Sequence, residues 1–171
     1  MKGYIQVYTG NGKGKTTSAL GLSIRAAGAE LAVLIVQFIK AGDYSEIKAL
    51  KRFADRITVV QFGSGRFIKG KPSPEEIAAA GRGVEFIKNA MKSNEYDLII
   101  MEEATVAAAC GVIQTQDILD IMAIKPGNVE LVITGRGADP KIIEKADLVT
   151  EMKEIKHYFQ KGVKARVGIE K

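Results

Sequence analysis

Thr9-Gly10-Asn11-Gly12-Lys13-Gly14-Lys15-Thr16-Thr17 follows a short apolar run, Tyr4 to Tyr8, and opens a stretch where Ala19, Leu20, Leu22, Ile24 and Ala27 recur at helical spacing. Glycines at 10, 12 and 14 let the backbone turn with N–H groups pointing inward, and a helix beginning near Lys15 aims its positive dipole end into the same space. The combination is a phosphate cradle. Lys15 reaches phosphate oxygens from the first helical turn, and the Thr16 hydroxyl suits a magnesium ion that bridges them. The usual spacing is Gly, four residues, Gly-Lys-Ser/Thr. Counting back from Gly14-Lys15 puts Thr9 where the first glycine belongs, so this loop is one residue tighter. The alternative is a glycine-rich turn that happens to precede a helix; the order of strand, loop, Lys-Thr and amphipathic helix argues against it.

Bulk properties narrow the class. The 171 residues suit one domain with one substantial core, and 46% hydrophobic with 26% charged content is ordinary for a soluble globule. No apolar run approaches the roughly 18 residues that span a bilayer, and Met1-Lys2-Gly3 leads straight into the first strand with no export signal. A cytoplasmic protein without membrane association is expected. The single cysteine, Cys110, has no partner for an internal disulfide and reads as a small buried hydrophobe beside Ala107 to Ala109. The net charge of +5 is dispersed among acids, and six per cent aromatics without tryptophan leave little for stacking on bases. Anionic small molecules, not nucleic acid, account for the charge.

Apolar runs of strand length recur at Tyr4–Tyr8, Ala32–Phe38, Ile57–Phe62, Leu98–Met101, Val129–Thr134 and Leu148–Met152. Helical patterns lie between them: the segment after the loop to about Gly28, then Glu46–Ala54, Pro74 to about Ser93, Gln116–Ala123 and Pro140–Lys145. Continuously apolar strands imply burial on both faces, hence an α/β three-layer domain with a mainly parallel sheet of about six strands. Ligands of such sheets gather beyond the C-terminal strand edge. That edge should carry Gly10–Thr17, Gln37–Asp43, Gly63–Pro72, Glu102–Thr105 and Thr134–Asp139. The Gly63–Pro72 segment, rich in glycine and cations, reads either as a solvated connection or as a substrate lid. Ser73 should cap the next helix, with Pro74 in its first position.

Asp97-Leu98-Ile99-Ile100-Met101-Glu102-Glu103 is an apolar strand ending in two acids, the place where phosphate-loop proteins keep a carboxylate for magnesium or its water. Neighbouring strand residues point to opposite faces, so only one acid is expected to face the cradle. His157 reads as a partly buried histidine serving packing or one hydrogen bond, in preference to a catalytic one. Arg136, between Gly135 and Gly137 at a strand end, suits contact with an anionic ligand such as phosphate, or a surface ion pair.

Together these residues resemble the P-loop ATP:corrinoid adenosyltransferases of cobalamin biosynthesis and salvage. Thr9–Thr17 resembles that family's shortened loop, Val36-Gln37-Phe38-Ile39-Lys40 its second-strand motif, and Ile133-Thr134-Gly135-Arg136-Gly137 its fifth-strand motif. Ala146-Asp147, Glu151-Met152, Lys156-His157, Gly162-Val163-Lys164-Ala165 and Gly168-Ile169-Glu170 resemble its C-terminal signature. The resemblance implies a RecA-like sheet and a reaction in which reduced cobalt attacks the 5′ carbon of ATP and triphosphate leaves. It also implies that Gly10, Asn11, Gly12, Lys13, Gly14, Lys15, Thr16 and Thr17 hold ATP, with Thr16 and Glu103 on Mg²⁺ and with Lys15, Thr16 and Glu103 forming the catalytic set. Phe67 and Arg136 are the corresponding corrinoid contacts. Family members usually read Asp-Glu where this chain has Glu102-Glu103, and commonly carry a tryptophan where this chain offers Phe67. The implied partners are a flavin-type reductase that supplies the electron and a second copy in a homodimer. Two other functions fit the loop alone: a small-molecule kinase or ATPase, and a sensor that binds ATP or corrinoid without turnover.

Overall fold

The computed structural model describes residues 2–65 and 70–170. Six parallel strands form one sheet in the order β3-β2-β4-β5-β1-β6. They are β1 (Ile5–Thr9), β2 (Val33–Gln37), β3 (Ile57–Gln61), β4 (Leu98–Glu102), β5 (Glu130–Thr134) and β6 (Leu148–Glu151). Every residue of β2 and β4 is buried, the apolar runs as their sequences require and the closing Gln37 and Glu102 with them, whereas β6 at the edge is exposed throughout.

Side-chain alternation divides the core into two layers. Leu34 and Val36 of β2, with Ile99 and Met101 of β4, meet Val84, Ile87 and Met91 of α3 (Pro74–Ser93) and Ile118 and Ile121 of α5 (Thr115–Ile124). Val33, Ile35 and Ile100 face the other way, onto Ala19, Leu20 and Ala26 of α1 (Lys15–Gly28) and Leu50 of α2 (Ser45–Leu50). The result is the helix–sheet–helix sandwich expected from the alternating pattern. Ser73 accepts from the Glu76 amide at 3.2 Å while Glu76 accepts from the Ser73 amide at 2.9 Å, with Pro74 opening α3 as anticipated.

Three local features differ from expectation. The helix read as Glu46–Ala54 is α2 followed by a 3₁₀ turn at Lys51–Phe53. A short helix α4 (Ala104–Ala109) follows β4 directly, where no helix is anticipated, and α6 (Pro140–Lys145) falls as read. Cys110 closes α4 and is only partly buried. Among the described residues no helix is long and apolar enough to cross a membrane.

Candidate active site

Gly14 precedes α1 with φ at +126°, a conformation that side chains disfavour, and Lys15 begins the helix directly after it. Lys15 is buried, and its Nζ donates to the Gly12 carbonyl at 2.7 Å, so the ammonium folds back over the loop. Burial pushes its pKa down, and the Arg136 charge adds to the shift. A cation held in poor solvent beside another cation is a strong anion seat.

The glycines at 10 and 12 answer a second demand. A Cβ on Gly10 lies 2.4 Å from the Met152 carbonyl oxygen, and one on Gly12 lies 2.7 Å from it. The Gly12 N–H donates to that carbonyl at 2.6 Å, and the Met152 amide donates to Thr9 O at 2.8 Å. The chain leaving β6 is therefore stitched to the loop. Farther along, Glu170 accepts from Lys13 at 3.0 Å and from Arg166 and Tyr158, tying the tail to a loop lysine. His157 makes a local bond, its Nδ1 accepting from the Phe159 amide at 3.0 Å.

The two acids part company at the end of β4. Glu102 is the last strand residue and fully buried; its Oε1 accepts from Thr16 Oγ1 at 2.5 Å and from Lys40 Nζ at 3.1 Å. Glu103 leaves the strand with φ at +59° and its amide donates to Thr134 Oγ1 at 3.0 Å. The strand alternation assumed from sequence thus breaks one residue early, and both acids serve the cradle side. Glu102 holds Thr16 from beneath, and Glu103 lines the cleft. Burial raises the Glu103 pKa, and the Glu102 charge raises it further, against Lys40, Lys15 and Arg136. For Lys40 burial lowers the pKa, but attraction to Glu102 outweighs it and the net shift is upward.

The cleft of about 730 Å³ has room for a nucleotide. Gly12, Lys13, Gly14, Lys15, Thr16, Thr17, Glu103 and Arg136 line it together, with Lys40 and the tail residues His157, Ile169 and Glu170. Gly10 and Asn11 lie outside its lining, Gly10 being packed on Met152. Phe67 lies outside the described residues. Lys40 and the tail are the participants that residue-by-residue reading left unassigned. A lysine shortly after β2 and an acid closing β4 were the available signal.

The donor set fits a magnesium ion that arrives with a nucleotide. Among the described residues no group of three or more His, Cys, Asp or Glu is arranged to hold a metal, so such an ion would take most of its shell from phosphate and water. Glu102 Oε2 and Gln37 Nε2, on residues in register across β2 and β4, are buried without a hydrogen-bond partner among the described residues. An acceptor and a donor so placed suit ordered water around a cation.

Fold and site define a P-loop nucleotide-binding protein with a RecA-like sheet. Solved structures agree at the level of fold: a KaiC-like protein from Pyrococcus horikoshii OT3 has a TM-score of 0.58 at 11% identity, covering 91% of this chain and 75% of that one. The flagellar accessory protein FlaH from Methanocaldococcus jannaschii has a TM-score of 0.59 at 15% identity, covering 88% and 71%. A family model described as ATP:corrinoid adenosyltransferase BtuR/CobO/CobP matches residues 1–170, and the chain belongs to that family. Proteins named corrinoid adenosyltransferase from Pseudomonas aeruginosa and Escherichia coli K12 are each 34% identical to it. The match covers 99% of this chain in both cases, and 84% and 86% of those proteins.

Proposed function

We propose that this protein transfers the 5′-deoxyadenosyl group of ATP to the reduced cobalt of a corrinoid and releases triphosphate. The observation that carries the reading is a phosphate cradle of contracted spacing, roofed by its own C-terminal segment, in a chain of the adenosyltransferase family. The cobalt electron pair forms the bond to C5′, the C5′–O bond breaks, and its electrons leave on the triphosphate. Charge grows on that leaving group. Lys15, Lys13 and Arg136 line the cleft and would receive it, Lys15 from a partly desolvated position where a fixed charge acts more strongly than in water. Thr16 and Glu103 would hold Mg²⁺, which supplies further neutralisation of the phosphates. Glu102 takes the Thr16 hydroxyl proton in its hydrogen bond and so leaves the oxygen lone pairs free to face a ligand. The substrate supplies the nucleophile, so the chain needs no nucleophilic side chain.

The corrinoid is assigned to the side of the cleft bearing Arg136, with Phe67, which lies outside the described residues, as the aromatic contact that the family resemblance implies. A flavin-type reductase supplies the electron, since cobalt must be fully reduced before it attacks carbon. One domain, a cytoplasmic location and a pair of identical copies complete the reading. Exposed Ile155, Phe159 and Val167 on the tail favour self-association. The test is to mix the protein, ATP, Mg²⁺ and a chemically reduced corrinoid anaerobically and follow the visible spectrum. Conversion to the light-sensitive alkylated corrinoid is expected; an unchanged corrinoid spectrum contradicts the reading.

A further inference from the structure

Lys40 stands just beyond β2, with its Nζ 3.1 Å from Glu102 Oε1, the same oxygen that accepts from Thr16 at 2.5 Å. The Glu102 side chain is fully buried, whereas that of Lys40 is 28% exposed and keeps a way out to water. Glu103 and Glu46 attract the ammonium from the adjoining cleft wall. The backbone around Lys40 is clamped. A Cβ on Gly63 would sit 2.1 Å from Ile39 O and one on Gly65 2.6 Å from Ala41 O, while Gln61 bonds both the N–H and the carbonyl of Gly42. The four-carbon side chain gives the ammonium its reach from this packed backbone toward water.

A buried carboxylate costs several kcal/mol unless a positive charge compensates it. Here the ammonium supplies that charge, and it does so in the carboxylate field that a divalent ion on Thr16 and Glu103 would also use. We propose that Lys40 is an internal counter-ion that competes with the divalent cation. It neutralises Glu102 when no metal is bound and swings toward solvent when Mg²⁺ enters with ATP. Lys40 therefore sets how strongly cation and nucleotide reinforce each other's binding, a role that rests on the reading of Thr16 and Glu103 as the metal's partners. It acts as a positioning residue, and its effect appears in binding before any chemistry.

Calorimetric ATP binding, without corrinoid, tests this in the wild type, Lys40→Met and Lys40→Gln, each in EDTA and in excess Mg²⁺. The ratio of the two ATP dissociation constants measures the coupling. Both variants should raise that ratio on the order of tenfold, through tighter binding in Mg²⁺ with little change in EDTA. If Lys40→Met does not fold, Lys40→Gln, which keeps an N–H for Glu102, gives the comparison. An unchanged or smaller ratio overturns the proposal, even if the thermal midpoint falls. So does a ratio that grows only because the EDTA value weakens, which assigns Lys40 to phosphate. A wild type that binds no ATP, or binds it without regard to Mg²⁺, overturns the functional reading and this inference together.

Discussion

Replacing Glu102 and Glu103 in turn by glutamine should separate stability from turnover. In Glu102→Gln the amide oxygen still accepts from Thr16 and Lys40, but the Thr16 bond becomes a neutral one and the Lys40 ion pair becomes a bond from a cation to a neutral oxygen. Each step costs about 1 kcal/mol, the difference between hydrogen bonds to charged and to neutral groups. Lys40 is 28% exposed and can turn to water, so the total stays near 2 kcal/mol, below the roughly 3–5 of a broken buried pair. For a chain of this size that lowers the thermal midpoint by roughly 4–8 °C. Glu103→Gln works the other way, because burial and the Glu102 charge already disfavour its ionised form. A carboxyl whose pKa is raised on folding contributes stability that is present below the unfolded value and lost as pH rises through the folded one. At pH 7 the glutamine variant should therefore match or exceed the wild type, and its advantage should vanish below about pH 4. Turnover should rank oppositely: Glu103→Gln loses more Mg²⁺-dependent adenosylation than Glu102→Gln. Thermal melts of nucleotide-free protein from about pH 3 to about pH 8, paired with initial rates, read both. Equal destabilisation by the two variants would refute the division of labour between the acids, and turnover lost chiefly in Glu102→Gln would show their roles to be reversed.

Lys15→Ala should weaken ATP binding by roughly 10- to 100-fold, the worth of one hydrogen bond to a charged group, while a urea melt moves by less than about 1 kcal/mol. Unchanged affinity by calorimetry refutes the cradle. Gly10→Ala puts a methyl 2.4 Å from Met152 O at φ +96° and should cost about 3 kcal/mol in urea denaturation; a neutral result would mean the loop and the chain after β6 are not stitched together. Glu170→Gln loosens the tie to Lys13, Arg166 and Tyr158. Limited trypsin digestion should then cut at Lys153, Lys156 or Lys161 sooner than in the wild type, and equal cutting rates would remove the strap from the account.

The fold was readable because its signals are local. Leu34-Ile35-Val36 and Leu98-Ile99-Ile100-Met101 have no polar face to show water, so they announce central strands. The cradle was readable because glycines, Lys15 and Thr16 sit together in sequence. What escaped is set by contacts between distant segments. The division of labour between Glu102 and Glu103 depends on one left-handed residue at the end of β4, which side-chain alternation does not encode. Gly10 reads as a loop-forming residue, yet its neighbour is the Met152 carbonyl, 142 positions away. The six-residue α4 is nearly all alanine and threonine, too short and too uniform to show a helical period. Lys40 acquires its meaning only when β2 and β4 are known to be adjacent.

The central claim is that ATP is opened at its 5′ carbon and not at a phosphorus atom. Anion-exchange analysis of the phosphate products, with adenosylated corrinoid quantified in the same reaction, tests it most directly. Triphosphate and adenosylated corrinoid forming in equal amounts, with no ADP, is the predicted result. ADP accumulating in step with turnover, or corrinoid adenosylation without triphosphate, would contradict it.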